Sequence, residues 1–110
     1  MIDIDLQARL HAVTNELVDE LVSITPEMMT EIQFEIVSSK DGGADFGLLA
    51  NHPDARRVAL SQALYDRVAR YLPLVRRYVS GWRRSLIVLQ QSNDGWRVHV
   101  DFESSSSETT

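Results

Sequence analysis

Apolar residues recur at intervals of three and four over residues 3–24, which is the spacing of one helical face. The stripe consists of Leu6, Leu10, Val13, Leu17, Leu21 and Ile24. Asp3 or Asp5 can cap the first turn, and Pro26 disfavours helical backbone at Thr25. The pattern therefore predicts an amphipathic helix over residues 3–24.

The next stretch changes to a period of two, which is typical of strands with one buried face. The apolar positions are Ile32, Phe34 and Ile36 in residues 30–38, and Ala44, Phe46, Leu48 and Ala50 in residues 44–50. Residues 40–43 lie between them and contain two glycines, which suit a turn. We expect a first hairpin whose outer face is acidic.

Residues 56–80 return to the helical period, with a stripe at Val58, Leu60, Leu64, Val68, Leu72 and Val75. Pro73 removes one backbone donor, so we expect it to kink or divide this helix near Tyr71 and Leu72. Gly81 is a suitable helix stop.

Residues 82–103 predict a second hairpin. The continuous apolar run over residues 86–89 predicts a central strand covered on both faces. After a turn at residues 93–95, whose types tolerate positive φ, the chain alternates strictly. The apolar positions are Trp96, Val98, Val100 and Phe102, and the polar ones are Arg97, His99, Asp101 and Glu103. We expect the apolar set to face the core.

The predicted order is α-β-β-α-β-β. Two hairpins favour an antiparallel sheet of about four strands, with both helices packed on one face. The sequence thus predicts a single two-layer α+β domain over residues 1–103. Residues 104–110 are polar and low in complexity, so we expect a disordered tail.

Composition limits the classes of protein that remain. The 110 residues include no cysteine, which excludes disulfides, thiol nucleophiles and thiolate metal sites. No apolar run approaches the roughly 18 residues needed to cross a membrane. The first residues carry acids where a signal peptide has basic residues. These features predict a soluble cytoplasmic protein without a membrane partner.

The net charge of −5 is unevenly distributed. Residues 1–54 hold eleven acids and two basic residues, whereas residues 55–110 hold nine arginines and five acids. The two halves therefore carry −9 and +4. We interpret this polarity chiefly as internal pairing of the arginines with acids of the first half, alongside solvated faces.

Few side chains suggest chemistry. The histidines, His11, His52 and His99, lack metal-ligand spacing, and no phosphate-binding or nucleophile motif occurs. His99 and Asp101 are two residues apart on one strand face, so they either share a site or belong to an ordinary polar face. We therefore expect no enzyme activity, no cofactor and no metal.

Several features of the sequence form one pattern: Thr25-Pro26-Glu27 before the first strand, the Gly-Gly turn, Trp82, and the closing hairpin with Asp94-Gly95-Trp96 and Val98-His-Val-Asp-Phe102. In these features and in the order of its elements, the chain resembles the YezG-like immunity proteins. The resemblance implies a small cytoplasmic antitoxin that binds and neutralises the toxic domain of a secreted or contact-delivered bacterial toxin. Several such toxins are nucleases.

An inhibitor of a basic enzyme needs a rigid acidic surface that attracts the partner and covers its active site. The outward acids of the hairpins are the candidates for that surface. They are Glu31, Glu35, Asp41, Asp45, Asp101 and Glu103. We therefore predict a non-enzymatic immunity protein that binds a cognate toxin domain.

Two other functions stay open. The first is an adaptor or assembly domain that uses Tyr71, Tyr78 and Trp82 as exposed anchors, although core packing is their commoner role. The second is nucleic-acid binding through the arginines of the second helix, which the acidic net charge disfavours.

Overall fold

The computed structural model describes residues 4–25, 30–49 and 60–104, and it confirms the α-β-β-α-β-β order of an α+β fold. The elements are α1 (Ile4–Ile24), β1 (Glu31–Ser38), β2 (Ala44–Leu48), α2 (Gln62–Tyr78), β3 (Trp82–Ser92) and β4 (Gly95–Ser104). The strands form one antiparallel sheet in the order β2-β1-β3-β4. The two hairpins therefore adjoin through β1 and β3.

Both helices pack on one side of this sheet, called here the helix-covered face. The buried side chains of β1 and β3 meet those of the two helices there. This core consists of Leu10, Leu17, Val18, Leu21, Ile32, Phe34, Ile36, Leu64, Val68, Tyr71, Val75, Trp82, Ile87 and Leu89. Removal of this apolar surface from water is the main term that favours the fold.

The second helix begins later than predicted. Leu60 and Ser61 are not helical, and Ser61 caps the helix by accepting a hydrogen bond from the Leu64 amide (3.2 Å). Pro73 lies inside one undivided helix, because Tyr71 and Val75 on either side are fully buried and hold the two turns against the sheet. Ala50, His52, Val58 and the arginines at 56–57 lie outside the described residues.

The third strand is central, as predicted, but the described residues cover only one of its faces. Ile87 and Leu89 are fully buried beneath the helices. Leu86 and Val88 point to the opposite side and are only half-buried. On this second side, cross-strand neighbours flank Leu86 and Val88, and none of the described elements forms the covering layer that the sequence predicted there.

The fourth strand is an edge strand whose predicted inward face is incompletely covered. Trp96 and Val100 are half-buried, whereas Val98 and Phe102 are 47% and 38% exposed. The strand continues to Ser104, whose hydroxyl donates to the Ser80 carbonyl, so the predicted tail begins too early. Of the predicted turn residues 93–95, only Gly95, the first residue of β4, has a positive φ (119°).

A buried hydrogen-bond group joins α2 to β3. The Ser85 hydroxyl oxygen lies 2.8 Å from the Tyr71 hydroxyl and accepts a hydrogen bond from the Trp82 indole N–H (2.9 Å). An irregular register between Trp82 and Arg84 brings Trp82 to the same face as Ser85. The only polar residue in the described core is thus satisfied entirely by side chains.

Replacing Ser85→Ala should lower the free energy of unfolding by about 2 kcal/mol or more, because the buried Tyr71 and Trp82 lose a partner. Urea denaturation measures this loss. Ser23→Ala, at an exposed position of α1, is the control and should change stability by less than about 0.5 kcal/mol. Equal urea midpoints for wild type and Ser85→Ala would contradict the role of this group.

Burial raises the pKa of Tyr71 from 10.0 to about 12, with the Ser85 hydrogen bond acting in the opposite direction. The unfolded chain therefore ionises this phenol at lower pH than the folded chain. The contribution to stability is complete below pH 10 and is lost as the pH rises to about 12, at up to about 1.4 kcal/mol per pH unit. Urea unfolding across this range should show that loss, and Tyr71→Phe should show a shallower decline.

Candidate protein-binding surface

The sheet face opposite the helices, called here the open face, carries no helix in the part of the chain that the structure describes. Strand alternation and the pairing register assign its residues. They are Glu31, Gln33, Glu35, Val37, Asp45, Gly47, Arg84, Leu86, Val88, Gln90, Arg97, His99, Asp101 and Glu103. The apolar pair Leu86 and Val88 lies at the middle of this surface.

Five of the six predicted binding acids share the open face. Glu31 and Glu35 lie on β1, Asp45 on β2, and Asp101 and Glu103 on β4. The register places Leu86 between Glu35 and Asp101, so the acids flank the central apolar pair from both sides. The sequence separated these acids by as many as 72 positions, and the adjoining hairpins bring them onto one surface.

Asp41 has a different position and role. It lies in the turn between β1 and β2, where its carboxylate accepts hydrogen bonds from the Ser39 hydroxyl and the Gly43 amide. These bonds, that from Ser39 first, lower the pKa of Asp41 below its ordinary value. This carboxylate holds the turn, and the structure does not place it on the open face.

Arg84 partly neutralises the acids around it. Its guanidinium donates from Nε to Glu35 and from Nη1 to Glu103 (3.1 Å), and so bridges β1 and β4 across β3. The hydrogen bond to Glu35 is the main cause that raises the pKa of Arg84. Arg97 is the second cation, so the carboxylates and arginines of the open face number five and two, a formal balance of three negative charges.

His99 and Asp101 do contact each other, with 3.0 Å between His99 Nε2 and Asp101 Oδ1. Their side chains are 71% and 62% exposed. A solvated pair of this kind contributes little to stability and lacks the concave, enclosed setting that is typical of a ligand-binding or catalytic site. The geometry fits the ordinary polar face, one of the two interpretations that the sequence left open.

Several arginines pair with acids of the first half of the chain, as predicted. Arg67 lies 3.5 Å from Glu20, and Arg70 lies 3.3 Å from Glu16, which fastens α2 to α1. Arg76 instead donates to the Gly43 carbonyl (2.8 Å), and its guanidinium carbon lies 5.8 Å from the centre of the Trp82 ring. The arginines of the second helix are therefore largely engaged within the molecule.

The three aromatic residues considered as exposed anchors have separate locations. Tyr71 is fully buried, and Trp82 is 6% exposed. Tyr78 is 39% exposed and packs edge-on against Phe102, with 6.4 Å between ring centres. Core packing therefore accounts for Tyr71 and Trp82, which leaves the adaptor hypothesis with Tyr78 alone from its original set.

Among the described residues there is no group of three or more histidine or acidic side chains placed to hold a metal ion. None of the described helices has the length and hydropathy needed to cross a membrane. Comparison with known protein families found no family model that matches the chain. Comparison with curated proteins also found no match.

Sequence reasoning missed the apolar centre of the open face and the neutralising position of Arg84. The signal for the first was present, since Leu86 and Val88 interrupt the alternation expected of a strand with one wet face. Arg84 gave no local signal, because its partners are 49 and 19 residues away. Only the register of β1 and β4 against β3 brings the three charges together.

Replacing Arg84→Met should lower the free energy of unfolding by about 1 kcal/mol, because Glu35 and Glu103 then repel each other without a shared cation. The loss should grow at low ionic strength, where screening is weak. Urea denaturation at two salt concentrations measures it. Arg97→Met, on the neighbouring edge strand, is the control and should change stability less; equal losses would contradict the bridging role.

Proposed function

We propose that this chain is a non-enzymatic immunity protein, which neutralises a bacterial toxin domain by binding it on the open face. The observation that carries the proposal is a sheet face that no described helix covers, with an apolar centre and acidic residues around it. The resemblance of the closing hairpin and overall layout to YezG-like immunity proteins supports a toxin as the partner. The inference that the chain binds a protein rests on the surface itself. The inference that this protein is a toxin rests on the resemblance.

The apolar centre supports a protein partner. Leu86 and Val88 are half-buried and lie in a rigid strand paired on both sides. Protein interfaces have an apolar centre and a polar rim, and Leu86 and Val88 with the charged residues around them have this arrangement. A preordered sheet also loses little conformational entropy on binding.

The charge of the open face supports a basic partner. Glu31 and Asp45 are exposed and are not bound by arginine in the described structure, whereas Glu35 and Glu103 are held by Arg84. Exposed acids of this kind accelerate encounter with a cationic surface, such as the active site of a nuclease. We assign the main steering role to Glu31 and Asp45, and a mainly structural role to the Arg84 cluster.

The test compares three tagged proteins as baits in a lysate of the source bacterium at moderate salt. They are the wild type, Glu31→Lys with Asp45→Lys, and the control Asp19→Lys with Asp66→Lys, which makes the same charge change on exposed helical positions. We expect one stoichiometric partner with the wild type and the control. The open-face variant should bind it at least about tenfold more weakly.

Expression of the captured partner alone then decides the function. Growth arrest that co-expressed wild type relieves, and that the open-face variant relieves poorly, is the expected result. A harmless partner would contradict the immunity function. Full protection by Glu31→Lys with Asp45→Lys would instead show that a different surface binds the toxin.

A further inference from the structure

The outer edge of β4 is available for strand pairing in the described structure. The Gln91 amide donates to the Thr30 carbonyl (2.8 Å), which shows that odd-numbered residues of β3 bond towards β1. The even-numbered residues of β3 therefore bond towards β4, where their partners are Arg97, His99 and Asp101. The backbone groups of the intervening β4 residues consequently point away from the sheet, at the free edge.

Those outward-bonding residues also carry apolar side chains that the helices leave uncovered. Val98 is 47% exposed and Phe102 is 38% exposed, with the half-buried Val100 between them. β4 has ten residues, whereas β2 at the opposite edge has five. A long edge strand with exposed apolar residues is a template for pairing with another strand.

The sequence of β4 is complementary to itself in the antiparallel direction. When two copies are aligned about a two-fold axis at Val100, Arg97 of each lies opposite Glu103 of the other. The same alignment places His99 opposite Asp101. Arg97 and Glu103 carry opposite charges, which stabilise a strand pair when they are directly opposed, and a histidine ring nitrogen can hydrogen-bond to an aspartate. All four polar positions therefore gain favourable partners.

The apolar positions agree with this alignment. Val100 lies opposite Val100 of the second copy, and Val98 lies opposite Phe102. These residues direct their backbone groups to the free edge, so they form the hydrogen-bonded pairs of the new ladder. Apolar contact, backbone bonding and charge thus favour one register.

Neighbouring registers are less favourable. An axis at His99 places that histidine against its own copy and leaves Glu103 opposite Gly95. An axis at Asp101 places two carboxylates directly opposite each other, which is destabilising. The charges therefore select Val100 as the centre.

We propose that a second copy of this chain binds the edge of β4, antiparallel and centred on Val100, so that two four-stranded sheets join into one of eight strands. The contact is isologous and closes on itself as a dimer. It covers Val98 and Phe102, and on each side of the axis it adds one pair of opposite charges, Arg97 with Glu103, and one polar pair, His99 with Asp101. It leaves Glu31 and Asp45 accessible, since they lie on β1 and β2.

Sedimentation velocity with the full chain tests the dimer. At high concentration the wild type should sediment as a dimer, with twice the 12.5 kDa mass of one chain. On dilution this dimer should dissociate to monomers. Val98→Lys places a charge opposite Phe102 of the second copy and should raise the dissociation constant at least about tenfold. A wild type that stays monomeric at every concentration would overturn the proposal. The edge of β4 would then be unoccupied or would bind a different protein.

The control for Val98→Lys is Tyr65→Lys, because Tyr65 is also 47% exposed but lies on α2 and packs against Phe46 of β2. This variant should keep the wild-type dimer. Circular dichroism of both variants checks that they fold. A folded Val98→Lys that dimerises as tightly as the wild type would show that β4 is not the interface.

Disulfide trapping tests the register separately. It leaves every side chain of the open face unchanged, including the charged residues that select the register. The chain has no cysteine, so Val100→Cys introduces a single thiol. At the proposed axis two such residues have Cα atoms about 5.5 Å apart, within disulfide reach. Residues at 98 are offset by four positions, or about 13 Å along the strands, and cannot join.

Mild oxidation should therefore convert Val100→Cys to a covalent dimer on a non-reducing gel and leave Val98→Cys monomeric. Preferential trapping at position 98, or no trapping at position 100 in a protein that sediments as a dimer, would overturn the proposed register.

Discussion

The contact between the helix layer and the inner side of β1 and β3 is the constraint on which the rest of the molecule depends. Most of the stability of an amphipathic helix in a protein comes from packing of its apolar face, and a bare four-stranded sheet would expose its own apolar side. Phe34, Ile36 and Ile87 are fully buried where the layers meet. Because this contact fixes which side of each strand faces inwards, it also fixes which side chains remain in water.

Electrostatics then refine an arrangement that burial has already chosen. The unequal charges of the two halves of the chain are reduced where those halves touch, through Glu16 with Arg70 and Glu20 with Arg67. The half-exposed Glu16–Arg70 pair is individually weak, whereas Glu20 and Arg67 are only 17% and 27% exposed. Both pairs lie at the helix contact and favour one alignment of α1 along α2.

Much of this fold could be predicted from the sequence, because its periods of 3.6 and two are long and rarely interrupted. The element order, the antiparallel hairpins, the helix layer and the outward direction of the acids all follow from alternation. The exceptions arise where packing between distant residues decides the outcome. The start of α2 depends on the Ser61 cap and its contact with Glu20, and the undivided helix at Pro73 depends on buried neighbours.

The candidate surface was less accessible to sequence reasoning than the fold. Alternation identified which acids point outwards, but strand order determines which of them are neighbours. Placing β3 between β1 and β4 makes Arg84 a shared partner of Glu35 and Glu103, and removes much of the charge that a simple count of acids assigns to that region. The count of acids overstates the field that an approaching protein experiences.

The irregular register at the start of β3 lets the side chains of Trp82 and Arg84 lie on opposite sides of the sheet. In a regular strand, residues two positions apart lie on the same side. Residues 82 and 85 differ by three, so regular pleating would send their side chains to opposite sides. The extra residue lets Trp82 turn inwards while the strand from Arg84 onwards keeps its own alternation. Trp82 therefore enters the core beside Ser85, while Arg84, two residues later, stays on the open face between Glu35 and Glu103.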